Sequence, residues 1–416
     1  MKAIALNSSW KRTICRALAL LVVAGCTDRV VGPTGDATVS AKSSAAELAP
    51  TTLTWQQLGR DLGQIYKPAP IVSARTFALL SIAQYAGVMA RGSGDDDIEF
   101  SNGTPGRGRT AADRGAVAAA SAAVLAYAYP LEATALQTKL AQQRAAEGGQ
   151  PNGAFERGEA LGLIAANQLI DRANTDGFTS AWTGSVPTTG ERLWKSAPGV
   201  ALAFPQLGQM KPFLLDSGSQ FRPGPPPSAT SAKYLDDLAT VVAVTHVPSS
   251  DPVRAAQIVI AQKWAAVFNL RYWGDRTSGL VQAAGFPERE AAHTFALVSA
   301  AGMDALIGCW DAKWTYFLWR PIQADPTIIR VIAQPNHPSY PSGHSCNSAA
   351  SAEVLATIFP AEADALHAEV IEAGNSRVWG GIHYPFDCET GQELGRNVAQ
   401  WTLAVDASSG ILHALR

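Results

Sequence analysis

The sequence predicts an all-α protein of two helix bundles joined by a long Pro-rich strap, with the candidate site in the C-terminal bundle. Long runs rich in Ala and Leu carry apolar residues at three- and four-residue spacing, which is typical of amphipathic helices. Prolines stand at the edges of these runs, where they do not interrupt a helix. No run alternates at period two and no strand-turn-strand pattern is present, so no sheet is expected.

The predicted elements divide the mature chain into three parts. The N-terminal bundle spans 51–174, with helices expected over 54–66, 70–91, 112–129, 131–147 and 153–174. Residues 175–229 are rich in Pro and Gly and form either a strap between the bundles or a loop that covers the site, because such long segments without helices are unusual in compact domains. The C-terminal domain spans 230–416, with helices expected over 231–245, 251–270, 286–319, 343–358, 361–378 and 385–405.

The composition is that of a globular protein. Of the 416 residues, 47% are hydrophobic and 16% are charged, which differs from the composition of a disordered chain. The formal net charge of -2 argues against a surface that binds nucleic acid. No nucleic-acid partner is therefore expected, and a homo-oligomer is left open.

Residues 1–25 have the pattern of a bacterial export signal. A cationic segment precedes an apolar run that is too short to span a bilayer as a stable helix. Small residues directly before Cys26 resemble the cleavage box of bacterial lipoproteins, which implies that Cys26 becomes the lipidated first residue. Residues 26–50 then form a flexible tether. We expect a periplasmic protein with a lipid anchor in the outer membrane; an ordinary signal peptide or an uncleaved anchor are the alternatives.

Three cysteines remain in the mature chain once Cys26 is lipidated: Cys309, Cys346 and Cys388. An oxidising compartment allows one disulfide among them and leaves one thiol over. The spacing does not decide which pair forms. Cys346 and Cys388 each adjoin one of the motifs described next, so they are the favoured pair.

Three short clusters concentrate cations, hydroxyls and imidazoles in one part of the chain. They are KWTYFLWRP at 313–321, PSGH at 341–344 and SRVWGGIHYPFD at 376–387. Together they supply one Lys, two Arg, a Ser hydroxyl, a Gly amide and two His. Such a set can enclose a tetrahedral or trigonal oxyanion, with imidazoles to bind or relay protons. We therefore interpret the protein as an oxyanion-site enzyme.

Local patterns predict where the cations and the helix start lie. Lys313 and Arg320 are seven residues apart, so both are expected on the same face of one helix, which Pro321 ends. Ser342 is expected to be the N-cap of the next helix, and Gly343 lets an oxyanion approach the free amides there.

The remaining polar residues near the clusters have simpler expectations. His344 would lie in the first helical turn, beside the anion. Asp387 is four residues beyond His383 and can accept the second N–H of the imidazole, which leaves the other nitrogen as a ligand or nucleophile. Asp304 and Asp311 are expected at surface positions of a helix, and the alternative is that they support the pocket.

In combination, the clusters resemble the signature of a superfamily that contains type-2 phosphatidic acid phosphatases, bacterial acid phosphatases and vanadium-dependent haloperoxidases. The signature is Lys, six residues, Arg-Pro; then Pro-Ser-Gly-His; then Ser-Arg, five residues, His, three residues, Asp. All three parts are present. The resemblance implies that the groups binding the oxyanion belong to Lys313, Arg320, Ser342, Gly343 and Arg377.

The same resemblance implies the catalytic roles. His344 would be the acid/base, and Lys313 would polarise bound peroxide. His383, oriented by Asp387, would be the vanadium ligand of a haloperoxidase or the phosphoryl-accepting nucleophile of a phosphatase. The implied cofactor is vanadate in the first case, and none is implied in the second.

The sequence favours a vanadate-dependent haloperoxidase, which oxidises halide with hydrogen peroxide to hypohalous acid. The residues around Lys313 resemble the haloperoxidase branch, including Trp310. His337, seven residues before His344, stands where bromide-oxidising members carry His, so bromide or iodide is favoured, with His337 and Trp310 on the halide side. The alternative is a periplasmic acid phosphatase that hydrolyses phosphomonoesters through a phosphohistidine at His383. A third hypothesis is a lipoprotein that binds an oxyanion without catalysis.

Overall fold

The computed structural model describes residues 50–90, 107–147, 153–266 and 269–414, which belong to one compact unit. The predicted signal peptide, Cys26 and the tether lie outside the described residues. In chain order the helices are α1 Thr51–Tyr66, α2 Pro70–Met89, α3 Arg107–Ala128, α4 Ala133–Ala146, α5 Ala154–Thr175, α6 Ala232–His246, α7 Pro252–Ala266, α8 Asn269–Ala283, α9 Glu288–Tyr316, α10 Pro321–Ala324, α11 Gly343–Ile358, α12 Ala363–Trp379, α13 Pro385–Ser409 and α14 Ile411–Ala414. The predicted all-α class is confirmed: within the described ranges, β pairing is limited to an isolated bridge between Leu193 and Leu318.

Most helix bounds agree with the sequence pattern, and the larger differences are in α3, α7, α8 and α9. The first of these begins at Arg107 rather than at 112, the helix expected over 251–270 ends at Ala266, and α8 was not predicted. The helix expected to reach 319 ends at Tyr316, because Phe317 adopts a left-handed backbone with φ of 50°. By contrast, α11 begins and ends as predicted.

Helices from both halves of the chain pack into one hydrophobic core. It includes Leu79 of α2, Val124 of α3, Met303 of α9 and Leu355 of α11. By length and composition α2 and α9 could each cross a membrane, but 78% and 94% of their apolar windows are buried inside the protein, as in core helices. The domain limits drawn at 174 and 230 stay predictions.

Glycines allow α3 and α5 to approach very closely. A Cβ at Gly115 would lie 2.0 Å from the carbonyl oxygen of Phe155, and a Cβ at Gly158 would lie 1.9 Å from that of Ala112. Both distances are far below van der Waals contact, so any side chain would push the helices apart. Since both helices also contact α2, this pairing helps to position α2, whose first turn borders the candidate site.

A buried carboxylate ties the strap to α9. Asp304 accepts hydrogen bonds from the backbone N–H groups of Phe213 at 2.7 Å, Leu214 at 2.7 Å and Leu215 at 3.1 Å. Its side chain is completely buried, so the expected surface position is wrong. Burial raises the pKa of Asp304 to about 6. The strap thus lies against the helices over this stretch rather than in solvent.

Asp304→Asn is expected to lower the free energy of unfolding by about 2–4 kcal/mol, because an amide presents a donor to buried donors and leaves one or more N–H groups unpaired. Asp311→Asn is the matched control: it lies on the same helix in a partly exposed pair with Arg222, worth about 0–1 kcal/mol. Urea unfolding followed by circular dichroism measures both. Equal losses would contradict the anchoring role of Asp304.

Candidate active site

The start of α11 brings Ser342 and Gly343 to the candidate site. Ser342 is the N-cap, as predicted, but its hydroxyl makes no capping bond, and the buried Oγ has no hydrogen-bond partner among the residues that the structure describes. Since a buried hydroxyl without a partner is costly, this atom indicates a place where a ligand oxygen can bind. A Cβ at Gly343 would lie 3.1 Å from the ring of Trp310, so glycine allows α11 to lie close to α9.

His383 and Asp387 form the pair that their spacing predicts. His383 Nδ1 lies 2.8 Å from Asp387 Oδ2. The same oxygen accepts hydrogen bonds from Ser339 Oγ at 2.5 Å and from the backbone N–H of Tyr384 at 3.2 Å. A carboxylate in this position accepts the Nδ1–H, so the lone pair of the imidazole is on Nε2.

Arg320 does not share a helix with Lys313, so the predicted common helical face is wrong. The helix ends at Tyr316, and Arg320 has extended backbone as the N-cap of α10. Its guanidinium nevertheless reaches the site, where Nη1 lies 3.0 Å from His383 Nε2 and donates to the carbonyl of Ile382 at 2.8 Å. The two cations therefore converge through an extended segment.

The ammonium group of Lys313 is saturated by main-chain acceptors. Nζ donates to the carbonyl oxygens of Pro338 at 2.9 Å, Ser339 at 2.7 Å and Pro341 at 2.5 Å. An ammonium has three N–H donors, so a ligand would have to replace one of these acceptors. Burial lowers the pKa of Lys313 to about 8. Its contact with an oxyanion and its role toward peroxide stay predictions.

The C-terminal part of α7 holds Arg377 and His344. Arg377 Nη2 donates to the carbonyl of Ala261 at 2.7 Å. His344 Nε2 lies 3.0 Å from the carbonyl oxygen of Trp264, which can only accept, so this nitrogen carries the proton. Carbonyl groups in the last turn of a helix have no partner within the helix, so that of Trp264 is available for this bond.

Trp310 and His337 lie side by side, with ring centroids 4.9 Å apart. His337 Nδ1 is 3.0 Å from Arg320 Nη2, which places this imidazole in the same cluster as His383. Trp310 Nε1 donates to the carbonyl of Ala203 in the strap at 3.0 Å. The assignment of both residues to the halide side stays a prediction.

A cavity of about 450 Å³ lies beside these side chains. The predicted site residues in its lining are Trp310, His337, Gly343, His344, Arg377 and His383. Apolar residues from α2 and from the strap complete part of the wall, among them Pro70, Ile71 and Phe204. The other predicted residues, Lys313, Arg320, Ser342 and Asp387, are fully buried outside the lining.

The donors of the site fit an oxyanion. Among the described residues the buried Ser342 hydroxyl has no hydrogen-bond partner, and the Gly343 amide belongs to the first turn of α11, where amides have no acceptor within the helix. Arg377 and His383 line the cavity beside them, and His383 Nε2 is the basic nitrogen of its ring. Within the described part of the chain, no group of three His, Cys, Asp or Glu residues could hold a metal ion. An oxyanion bound by one imidazole and several N–H and O–H donors needs no such group.

Burial keeps the three imidazoles of the site neutral. Together with the charges of Arg320 and Lys313, it lowers the pKa of His383 well below its usual range. Burial is also the main reason that the pKa values of His337 and His344 are lowered. It raises the pKa of Asp387 to about 6, so this carboxyl is still ionised at neutral pH. His383 is therefore a neutral base at pH 7, as a ligand or nucleophile must be.

Comparisons with known proteins agree with this geometry. Residues 292–409 match the PAP2 superfamily. The structure resembles the first bacterial vanadium-dependent iodoperoxidase with a TM-score of 0.69 at 23% identity, covering 85% of this chain and 96% of that chain. The chain has the fold of a vanadium-dependent haloperoxidase. The predicted resemblance to this branch is thereby confirmed for the fold.

Two further structures share this haloperoxidase fold. They are the apo and holo forms of a bacterial vanadium-dependent chloroperoxidase, both 15% identical to this chain. The apo form gives a TM-score of 0.59 and covers 80% of this chain and 93% of that one. The holo form gives 0.60, with 84% and 94% covered. Comparison with the curated proteins gives no match.

Several groups that shape the site within this haloperoxidase fold were missed by the sequence analysis. Ser339 is outside the quoted motifs, yet it donates to Asp387. Its position two residues before Pro341 is the only sequence signal that could have suggested it. The hydrogen bonds to the carbonyl groups of Ala261 and Trp264 could not be predicted from the sequence, because every residue has a carbonyl group.

The haloperoxidase fold also encloses three free thiols, so the predicted disulfide between Cys346 and Cys388 is wrong. The reason is that the two thiols face different neighbours: Cys388 Sγ donates to the carbonyl of Gly374 at 3.3 Å, whereas Cys346 lies next to Cys309. Burial raises the pKa values of Cys346 and Cys388, so both stay protonated and unreactive at neutral pH.

Lys313→Met tests the buried ammonium through the pH dependence of stability. The folded-state pKa of about 8 lies below the ordinary 10.5, so the unfolded chain binds the extra proton between these values, and stability from this group rises with pH. The difference in unfolding free energy, wild type minus Lys313→Met, should increase by about 3 kcal/mol from pH 8 to pH 10.5. Urea unfolding at several pH values measures it. Parallel pH curves for the two proteins would refute the shift.

Proposed function

We propose that the protein is a vanadate-dependent haloperoxidase that oxidises halide with hydrogen peroxide to hypohalous acid, with bromide or iodide favoured. The observation that carries the proposal is the buried pair of His383 and Asp387, whose basic Nε2 faces Arg320 beside the oxyanion donors. The shared fold of the haloperoxidases supports it. Bound vanadate would supply a Lewis-acid centre for the activation of peroxide.

The geometry supports a role for each protein group in the proposal. His383 Nε2 would hold the vanadium, and Asp387 keeps the imidazole proton on Nδ1. Arg320 would give up its contact with His383 and donate to the anion instead. The groups that donate to the anion belong to Arg320, Ser342, Gly343 and Arg377.

His344 is the proposed acid/base. Its Nε2–H is bound to the carbonyl of Trp264, so Nδ1 is the basic nitrogen of the neutral ring. Burial and the charge of Arg377 lower its pKa, and an anion bound nearby would raise it again. The imidazole can then accept a proton from peroxide and return it to the product water.

The halide preference rests on the pair of His337 and Trp310. A neutral imidazole and an indole ring, both facing the cavity, favour large polarisable halides over strongly hydrated chloride. The structural relatives differ in this respect, since one is an iodoperoxidase and another a chloroperoxidase.

The same site also supports a second function, a periplasmic acid phosphatase. In that reaction His383 Nε2 would attack a phosphomonoester, and His344 would protonate the leaving alkoxide. The match of residues 292–409 to the PAP2 superfamily favours keeping this alternative.

Activity assays on protein from which oxyanions have been removed distinguish the haloperoxidase from the phosphatase. Peroxide-dependent oxidation of bromide or iodide should appear only when vanadate is added, and His383→Ala should abolish it.

Asp387→Asn should weaken vanadate binding by about 10–100-fold, because the imidazole loses the carboxylate that orients it. Activity assays and calorimetric titration with vanadate measure these effects. His246→Ala, at an exposed His, is the control and should change neither.

Three outcomes would change the proposal. Phosphomonoester hydrolysis that vanadate inhibits, without halide oxidation, would establish the phosphatase. Vanadate binding without either activity would leave an oxyanion-binding lipoprotein. Full turnover of His383→Ala would remove His383 from the mechanism.

We also propose that the protein is exported and held at the outer membrane by a lipid on Cys26. The support is the sequence alone: a cationic segment, a short apolar run and small residues directly before Cys26. At that location, hydrogen peroxide and halide reach the site from the periplasm.

Cys26→Ala is expected to abolish the incorporation of labelled palmitate during growth of the producing bacterium, since the acylated thiol is lost. Cys15→Ala, within the predicted signal peptide, is the control and should keep the label. Labelling is measured on the immunoprecipitated protein. Label retained in Cys26→Ala would contradict the anchor.

A further inference from the structure

We infer that the cavity beside the candidate catalytic residues binds an apolar organic molecule with one O–H or N–H donor. In the proposed haloperoxidase this molecule is the halogen acceptor, and to that extent the inference rests on the function proposed above. The binding itself depends only on the volume and the walls of the cavity.

The cavity is much larger than a halide ion. At about 450 Å³ it falls within the range of about 300–1,000 Å³ that sites for organic ligands occupy. A water molecule takes about 30 Å³ in the liquid, so a halide of similar size fills only a small part. The rest of the space must hold either water or a larger molecule.

The walls favour the larger molecule. Apolar residues from separate elements face this space: Pro70, Ile71, Phe204, Ala265, Leu306 and Ile382. Water against such a surface is displaced favourably by an apolar ligand, because apolar area is then removed from water. Aromatic and other planar organic molecules therefore fit the walls better than an ion or a sugar.

Two amide oxygens in the lining residues lack donors. Asn347 Oδ1 and Gln334 Oε1 are buried, and neither accepts a hydrogen bond from the described residues. A small rotation of either side chain would bring its oxygen to the cavity surface, where a ligand hydroxyl or N–H can supply the missing donor. This preference narrows the ligand class to apolar molecules that carry such a group, such as phenols and indoles, whose electron-rich rings react with electrophilic halogen.

The wall formed by the strap is fixed relative to the candidate halide side. Phe204 adopts a left-handed backbone with φ of 54°, which costs free energy and persists only where neighbouring contacts hold it. The preceding residue, Ala203, donates to the carbonyl of Asn336 at 3.0 Å and accepts from Trp310 Nε1 at 3.0 Å. A ligand packed on Phe204 therefore lies close to Trp310 and His337.

Calorimetric titration with 2-naphthol, without peroxide, halide or vanadate, tests the inference. We expect saturable binding that is at least about tenfold tighter than that of phenol, because more apolar area is buried. 2-Methoxynaphthalene, which lacks a donor, should bind about three- to tenfold more weakly than 2-naphthol. Similar affinities for all three probes would overturn the proposed ligand class.

Substitutions at exposed positions of the lining locate the binding. Ala69 and Ala265 line the cavity but are exposed, so Leu at both positions fills space without disturbing the core. The double variant Ala69→Leu, Ala265→Leu should bind 2-naphthol at least about tenfold more weakly, since added bulk excludes the ligand. Ala141→Leu, at an exposed position of α4, is the control and should bind like wild type. Equal binding by all three proteins would overturn the inference.

Turnover assays separate the inference from the proposed function. If 2-naphthol binds but the vanadate-loaded protein neither brominates nor iodinates it and oxidises neither halide, the haloperoxidase proposal fails and the binding site stands. If bromination is linear in 2-naphthol and unchanged in the double variant, the acceptor reacts outside the cavity. In that case the inference fails and the haloperoxidase proposal stands.

Discussion

Three hydrogen bonds from one buried ammonium hold the parts of the site together. Lys313, in the last turn of α9, binds the carbonyl oxygens of residues 338, 339 and 341 and so fixes the loop before α11. That loop carries Ser339, which donates to Asp387, and it leads directly into Ser342. A buried cation without acceptors would cost several kcal/mol, on the order of the stability of a domain, and here main-chain dipoles supply the acceptors.

The site contains more positive than negative charge, which favours the binding of an anion. Lys313, Arg320 and Arg377 are buried cations, whereas Asp387 is the carboxylate of the cluster. Burial and these cations together keep the imidazoles neutral, because a further positive charge would be repelled. An oxyanion entering this cluster would meet excess positive charge, and Arg320 would have to turn only from His383 toward the anion.

The contacts that follow from local spacing could be predicted from the sequence, whereas the prediction failed where distant contacts decide the backbone. The spacing of His383 and Asp387 and the helix start at Ser342 are local patterns, so they were predictable. The end of α9 is not local: Trp194 N–H donates to the carbonyl of Phe317, and Trp319 N–H donates to that of Arg192. These hydrogen bonds to the strap take the place of the hydrogen bonds that a continued helix would form. The residues from 313 to 321 contain no pattern that predicts them.

The groups of the candidate anion site and part of the cavity wall come from different stretches of the chain. The match to the PAP2 superfamily covers residues 292–409, whereas Pro70, Ile71 and Phe204 stand far upstream. Mutation can therefore remodel the upstream wall while the anion-binding groups remain untouched. Such a division would allow the choice of organic ligand to change by substitution in one part of the sequence while the chemistry encoded in another part is kept.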